Sequence, residues 1–377
     1  MNDGSTIRLF ADAHVFDGGY QGTRSFLQGL YSELARREDV TVYLGAQDCA
    51  QLRRCFAGVS DRIRFVPYSS RSRYRRLLWE VPAILKEHSI DYAHFQYLAP
   101  PRKVCPYIVT THDVLFEEMP TAFPFLYRRL RRHWFRRAAL QADVLTTVSS
   151  YAAQSIAQHY DIPLSRMTIV PNAVAPQDGN ASGRQGARRR LRERYGVDRY
   201  LLCVSRMEPR KNQHLLVRAF QELNLAAEGY QLVLIGNRSL HVPEFDQALA
   251  ALKSYERAAV WILENIPDQE LQDWYRGCRL FVYPSLGEGF GIPPLEAAMA
   301  EVPVLCSNKT ALADFDFFGD DLVDPAETSA FTARLEHLLY TPPQPGILAQ
   351  RAQTIANRYS WKASADILMQ QVYQHQA

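Results

Sequence analysis

Short strand-like runs alternating with longer helical segments constrain this chain more than any other feature. Thr6–Ala11, Val40–Leu44, Ile63–Val66, Asp91–Phe95, Tyr107–Thr111, Val144–Val148 and Met167–Val170 each read as a strand. Between most of them lie helical patterns, such as Gly22–Arg37 with Phe26, Leu27, Leu30, Tyr31 and Leu34 on one face. The rhythm stops over Ala175–Arg188, where Gly, Pro, Asn and Ser suggest a linker or long loop. It restarts with Tyr200–Ser205, Gln231–Ile235, Ala259–Leu263 and Leu280–Pro284. Helical patterns dominate after Thr328, through Phe331–Leu339 and Ser360–His375. Strand–helix alternation gives parallel sheets with helices on both faces, so the chain reads as two Rossmann-like α/β domains in series. The 377 residues are enough for two such cores.

The alternation also says where function should lie. Open α/β sheets bind ligands beyond the carboxyl ends of their strands, so the informative residues should directly follow strands. After Leu280–Pro284 comes Ser285-Leu-Gly-Glu-Gly-Phe-Gly-Ile-Pro-Pro-Leu-Glu296. Its glycines let a backbone approach a ligand, and a helix start near Pro293–Pro294 offers free N–H groups to anionic oxygens. Glu288 and Glu296 are poor phosphate ligands but good acceptors for sugar hydroxyls. Alone, the same pattern also describes a strand-to-helix turn with a solvated Glu and a helix-stabilising one. After Tyr200–Cys203 comes Val204-Ser-Arg-Met-Glu-Pro-Arg-Lys-Asn-Gln213, with Arg206 and Lys211 flanking a helix start. Two cations there suit a diphosphate or are ordinary surface charge. His112, after a strand, reads on position alone as a structural histidine.

Taken together, Arg206…Lys211-Asn212, Asn265-Ile-Pro-Asp-Gln-Glu-Leu271 and Tyr283-Pro-Ser-Leu-Gly-Glu-Gly-Phe-Gly-Ile-Pro-Pro-Leu-Glu296 resemble the retaining family-4 glycosyltransferases of the GT-B fold. Pro303–Asn308, Leu322–Pro325, Thr111-His-Asp113, Val148-Ser149 and Val170-Pro-Asn172 extend the resemblance over nearly the whole chain. It implies two Rossmann-like domains facing across a cleft. Residues 1–173, completed by a returning helix at 358–377, would bind the acceptor, and residues 174–357 the nucleotide-sugar donor. It further implies that Arg206 and Lys211 neutralise a departing diphosphate, that Glu288 meets the transferred sugar and that His112 lines the sugar site. Glu296 would hold the ribose. Gly22, Asn172, Ile266, Gly289, Phe290, Gly291 and Ile292 would complete the donor site. Two departures stand out. Ala173 replaces a glycine of the family pattern, and the Phe- and Asp-rich stretch Asp314–Gly319 is unusual and would alter the rim of the nucleotide site. Either Gly19 or Gly22 represents the N-terminal glycine motif.

The resemblance implies a hexosyl transfer, of mannose or rhamnose type, from a GDP-sugar to a saccharide acceptor in bacterial surface polysaccharide synthesis. A UDP-sugar-dependent transferase, a sugar-nucleotide epimerase and a non-catalytic sugar-nucleotide binder are the alternatives. No Asp-x-Asp motif stands at a strand end, so neither a metal nor another cofactor is expected. No pair of carboxyls suggests a glycosidase.

Charge divides the chain. Residues 1–175 carry 22 Lys+Arg against 16 Asp+Glu, and the remainder 21 against 24. The excess concentrates in Arg71–Arg76 and in Arg128, Arg129, Arg131, Arg132, Arg136 and Arg137, interleaved with Leu126, Leu130, Trp134 and Ala138. One reading is a helix packed on its domain with a solvated basic face. The other is peripheral contact with an anionic membrane that presents a lipid-linked acceptor. No recognition motif for nucleic acid accompanies the charge. No apolar run approaches the length of a bilayer span, the first residues do not resemble a secretory signal, and the six cysteines form no Cys-x-x-Cys pair. A cytoplasmic protein is expected.

Overall fold

The computed structural model describes residues 6–18, 22–120, 123–175 and 181–376. It divides into two compact units, Met1–Ala173 with Tyr359–Ala377, and Val174–Arg358.

The first unit holds seven parallel strands: β1 (Ile7–Asp12), β2 (Val40–Ala46), β3 (Ile63–Pro67), β4 (Tyr92–Gln96), β5 (Tyr107–Thr110), β6 (Val144–Thr147) and β7 (Met167–Ile169). Their order is β3-β2-β1-β4-β5-β6-β7. The central strands are buried on both faces, as expected when helices cover a parallel sheet. The helix Trp361–Gln376 belongs to this unit. The Trp361 indole lies so close to Gly29 that a methyl group there would overlap it. Ser364 Oγ donates to the Pro171 carbonyl at 2.8 Å.

The second unit holds β8 (Tyr200–Val204), β9 (Gln231–Ile235), β10 (Val260–Leu263), β11 (Leu280–Tyr283), β12 (Val304–Ser307) and β13 (Leu322–Val323), ordered β10-β9-β8-β11-β12-β13 and parallel throughout. Leu216, Phe220, Leu232, Leu280, Phe331 and Leu335 are fully buried in its core. Each such side chain contributes about 1.5–3 kcal/mol by leaving water.

Strand order reverses between β1 and β4 in the first sheet and between β8 and β11 in the second. Such a reversal is where open α/β sheets bind their ligands. In the second unit the loops after β8 and β9 approach closely. Gly236 has φ +148, and a Cβ on it would overlap the Ser205 carbonyl, so only glycine fits.

The structure departs from the sequence reading in one place and adds to it in two. The segment Ala175–Arg188 is not all linker, because a helix spans Ala181–Tyr195. Its Leu191 and Ala187 are buried, and Arg188 Nε donates to the Gly277 carbonyl at 3.0 Å. Packing on the neighbouring helix Asp268–Gly277 thus overrides a glycine-rich start. Two strands were not among those read from the sequence, β12 with four residues and β13 with two. The helix Phe125–Gln141 packs through Phe135, Ala138 and Ala139. Leu126, Leu130 and Trp134, which share the apolar stripe with Ala138, are exposed.

Candidate active site

The switch point of the second sheet gathers the charged residues. A short turn, Pro209–Lys211, follows β8 and ends at Asn212, whose left-handed φ of 55° starts the helix Gln213–Glu222. The glycine loop follows β11 and enters the helix Ile292–Met299. The two segments are tied by main chain, since Leu286 N donates to the Arg210 carbonyl at 2.7 Å.

Glu288 is the hub. Its Oε1 accepts from Lys211 Nζ (2.6 Å), Ser285 Oγ (2.6 Å) and the Tyr283 hydroxyl (3.0 Å). Its Oε2 accepts from Arg210 Nη1 at 3.0 Å. Lys211 Nζ also donates to the Tyr283 hydroxyl at 2.9 Å. Burial works against both charges of the Lys211–Glu288 pair. At Glu288 the Lys211 and Arg210 charges outweigh it and bring the carboxyl down to about 2. At Lys211, burial and the neighbouring Arg210 outweigh the carboxylate and push its pKa down.

Arg210 is a site residue the sequence reasoning passed over. Besides Glu288 it holds the Gly287 carbonyl (2.7 Å) and Glu208 (2.9 Å). Its signal was its position beside Lys211 in the same strand-following segment. Arg206 stands apart from this cluster. It is half-exposed and pairs with Glu208 at 3.3 Å.

Glu296 makes a separate contact, its Oε2 accepting from the Tyr275 hydroxyl at 2.7 Å. Burial pushes its carboxyl up and the Tyr275 bond pulls it partly back. Gly289, Phe290 and Gly291 are buried. Gly291 has φ +105, and a Cβ there would overlap Leu312. Phe315 packs edge-on against Phe290, 5.9 Å between centroids, so the stretch Asp314–Gly319 lies against the glycine loop. Ile292 opens the helix, and Ile266 is half-buried between β10 and the helix Asp268–Gly277.

The remaining candidates lie in the first unit. His112, just after β5, is buried and bonds Gln96 Oε1 through Nε2 at 2.7 Å. Burial drives its pKa down to about 3, so the ring is neutral. Asn172 is buried, with Oδ1 lacking a hydrogen-bond partner among the described residues. Ala173 is absent from the positive-φ residues, so no left-handed turn is needed where the family pattern has glycine. Gly22 opens the helix Gly22–Leu34 with open space where a Cβ would stand. Gly19 lies outside the described residues. Among the described residues no group of three His, Cys, Asp or Glu side chains could hold a metal ion, and no helix is long and apolar enough to cross a membrane.

The chain is similar to known proteins. Residues 20–178 match the model of Glycosyltransferase Family 4, and residues 187–355 that of Glycosyl transferases group 1. The chain is 28% identical over 279 residues to the O-antigen chain mannosyltransferase B of Escherichia coli, covering 72% of each protein. It is 26% identical over 347 residues to the GDP-mannose-dependent alpha-(1-6)-phosphatidylinositol monomannoside mannosyltransferase of Mycolicibacterium smegmatis, covering 85% of this chain and 86% of that protein. The crystal structure of Anabaena Alr3699/HepE in complex with UDP and glucose has a TM-score of 0.72 at 16% identity, over 98% of this chain and 100% of that one. At that identity the likeness speaks for the fold alone.

Proposed function

The chain belongs to the family-4 glycosyltransferases of the GT-B fold, and from that premise we propose that it moves a mannosyl group from GDP-mannose to a saccharide acceptor, with retention, in surface polysaccharide assembly. The observation that carries this reading is the pair of cations at the β8/β11 switch point, Arg210 and Lys211, both held on Glu288, with the half-exposed Arg206 beside them on Glu208. Breaking a glycosyl phosphate bond places negative charge on the departing diphosphate, and preorganised cations stabilise it. The acceptor oxygen bonds to the anomeric carbon as the bond to the diphosphate breaks. The acceptor proton passes to the departing phosphate oxygen, and no enzyme nucleophile is invoked.

The hydrogen-bond inventory supports a division of roles. An ammonium has three N–H donors, and Lys211 uses two on Glu288 and Tyr283. The third serves a phosphate oxygen. Glu288 Oε1 already has three donors, whereas Oε2 has one from Arg210 and can accept from a sugar hydroxyl. Glu296 has Oε1 left for the ribose. His112 serves the transferred sugar as an uncharged group. Mannose and GDP are supported by the two relatives, one named a mannosyltransferase and the other GDP-mannose-dependent. Thermal-shift measurements with GDP, UDP and ADP test the base. A ligand at 100 times its Kd stabilises by about 2.7 kcal/mol, and GDP should give the largest shift. A larger shift with UDP would replace the donor assignment.

The acceptor is proposed to be lipid-linked and met at an anionic membrane. Leu126 and Leu130 are 67% and 53% exposed, and Trp134 is exposed beside them. Beside this face is an open cavity of about 680 Å³, lined by Arg128, Arg129, Arg132, Arg136 and Arg137, with Glu117 the one carboxylate among the described residues that line it. Exposed apolar side chains among arginines are what an interfacial helix presents to anionic lipid.

A further inference from the structure

A chain of polar side chains runs through the interior of the first sheet and ends at His112. β4 contributes His94 and Gln96, two residues apart and so on one face of the sheet. Gln96 is in register with Thr110 of β5, and Thr110 with Thr146 of β6. His94 Nδ1 meets the Tyr31 hydroxyl at 2.9 Å, its Nε2 meets Thr110 Oγ1 at 2.7 Å, and Thr110 Oγ1 meets Thr146 Oγ1 at 2.6 Å. Tyr31, His94, Thr110 and Thr146 are all fully buried. Polar groups cost free energy in such a place unless each is paired, so a wholly apolar sheet interior would be the simpler solution for stability alone.

The chain has a direction. The Gln96 side-chain N–H donates to His94 Nε2 at 3.1 Å. That orientation turns the Gln96 carbonyl oxygen to His112 Nε2, 2.7 Å away. An amide oxygen can only accept. His112 Nε2 therefore carries the hydrogen, and the lone pair falls on Nδ1. His112 Nδ1 has no hydrogen bond among the described residues, yet it is not one of the unpaired atoms sealed from solvent. The ring plane is also fixed. Phe26 meets it edge-on at 4.9 Å and Tyr97 lies tilted against it at 5.3 Å. Tyr97 does so with φ +62, a left-handed conformation that is rare and strained for an aromatic residue. Its hydroxyl is anchored on Asp113 Oδ2 at 3.2 Å. Thus Gln96 and Tyr97, consecutive residues at the end of β4 and at the switch point of the first sheet, both act on one imidazole.

We propose that Gln96 is a positioning residue for the transfer reaction: it locks His112 as the Nε2–H tautomer and leaves the Nδ1 lone pair as an acceptor for a sugar hydroxyl, while Tyr97 holds the ring plane. The inference rests on the reading of His112 as a residue of the sugar site. The logic is that of a group orienting a catalytic imidazole, where the orienter sets which nitrogen is free.

Side-chain ¹⁵N–¹H spectra of the full chain read the tautomer directly, with the His112 signals assigned by their loss in His112→Asn. The wild type should show His112 as a single, neutral Nε2–H form. In Gln96→Leu the Nδ1–H form should appear beside it. The same variant should release GDP from GDP-mannose, with water as acceptor, at about one tenth of the wild-type kcat, the size of one lost hydrogen bond. Its affinity for GDP alone should be unchanged. Gln96→Glu, which keeps an acceptor at that place, should restore the Nε2–H form and part of the turnover. An Nδ1–H form in the wild type overturns the proposal, and that spectrum needs neither a variant nor a substrate. So does full turnover in a Gln96→Leu protein whose tautomers are mixed. Absence of GDP release from the wild type would instead contradict the donor assignment, which the spectrum does not depend on.

Discussion

Replacing Glu288 by Gln removes the negative centre of the switch-point cluster, and the structure sets the size of the effect. In the folded protein the Glu288 carboxyl is lowered from 4.5 to about 2 by Lys211 and Arg210 against the opposing effect of burial. At 1.36 kcal/mol per pH unit this corresponds to about 3 kcal/mol of stability. A second route gives a similar figure, since leaving one member of a buried ion pair without its partner costs about 3–5 kcal/mol. In a unit of this size about 3 kcal/mol lowers the unfolding midpoint by roughly 6–12 °C. The pH dependence has a fixed sign. A lowered carboxyl stabilises fully above its unfolded value of 4.5, and the stabilisation is lost as pH falls from there towards 2. Thermal unfolding of both proteins between pH 7 and pH 3 is the assay. The gap should be widest near neutrality and close progressively below pH 4.5. A gap that stays constant with pH, or a Glu288→Gln protein as stable as wild type at pH 7, would refute the charged-cluster reasoning.

Glu296→Gln should raise KM for the donor and weaken GDP binding with little change in kcat, because a ribose contact exists before and after transfer; nucleotide titration and steady-state kinetics check this. Gly291→Ala should lower the unfolding midpoint measurably and depress activity, since Gly291 has φ +105 and a methyl group would overlap Leu312. Joint replacement of Arg128, Arg129 and Arg132 by Gln should weaken sedimentation with anionic liposomes at low salt and leave GDP affinity unchanged. Each arginine near such a surface contributes about 1 kcal/mol, and salt screens it.

The fold was legible because parallel strands buried on both faces are near-continuous apolar runs. β8 and β9, for example, show as runs of Leu, Val and Ile bounded by turn residues. What escaped was short or polar. β13 has two residues, and the helix Pro345–Arg358 begins with Pro-Gly and buries only Leu348, Ala352 and Ile355 among polar neighbours. The site was partly legible. Lys211 and Glu288 follow their strands, and the structure joins them at 2.6 Å. Arg210 and Gln96 were not picked out. A sequence shows that Arg210 neighbours Lys211, but the turn geometry decides that both reach one carboxylate. Gln96 reads, with His94, as an isolated polar residue of a short strand until its neighbours across β5 are known. The apolar stripe of the Arg-rich helix showed the opposite failure. Periodicity found it, yet Leu126 and Leu130 lie in solvent, because periodicity identifies a face and not what covers it.

The central claim is that cations after β8 take the charge of a departing nucleoside diphosphate. Its most direct test is GDP release from GDP-mannose in excess EDTA by wild type, Arg206→Ala and Lys211→Ala, each shown to be folded. The account predicts that the wild type keeps its activity without a divalent ion, because side-chain cations supply the charge a metal gives elsewhere. It predicts that each variant falls by on the order of 10²-fold in kcat, as loss of one preorganised stabiliser does. Near-wild-type rates in both variants, or a wild-type activity abolished by EDTA and restored only by Mg²⁺ or Mn²⁺, would contradict it.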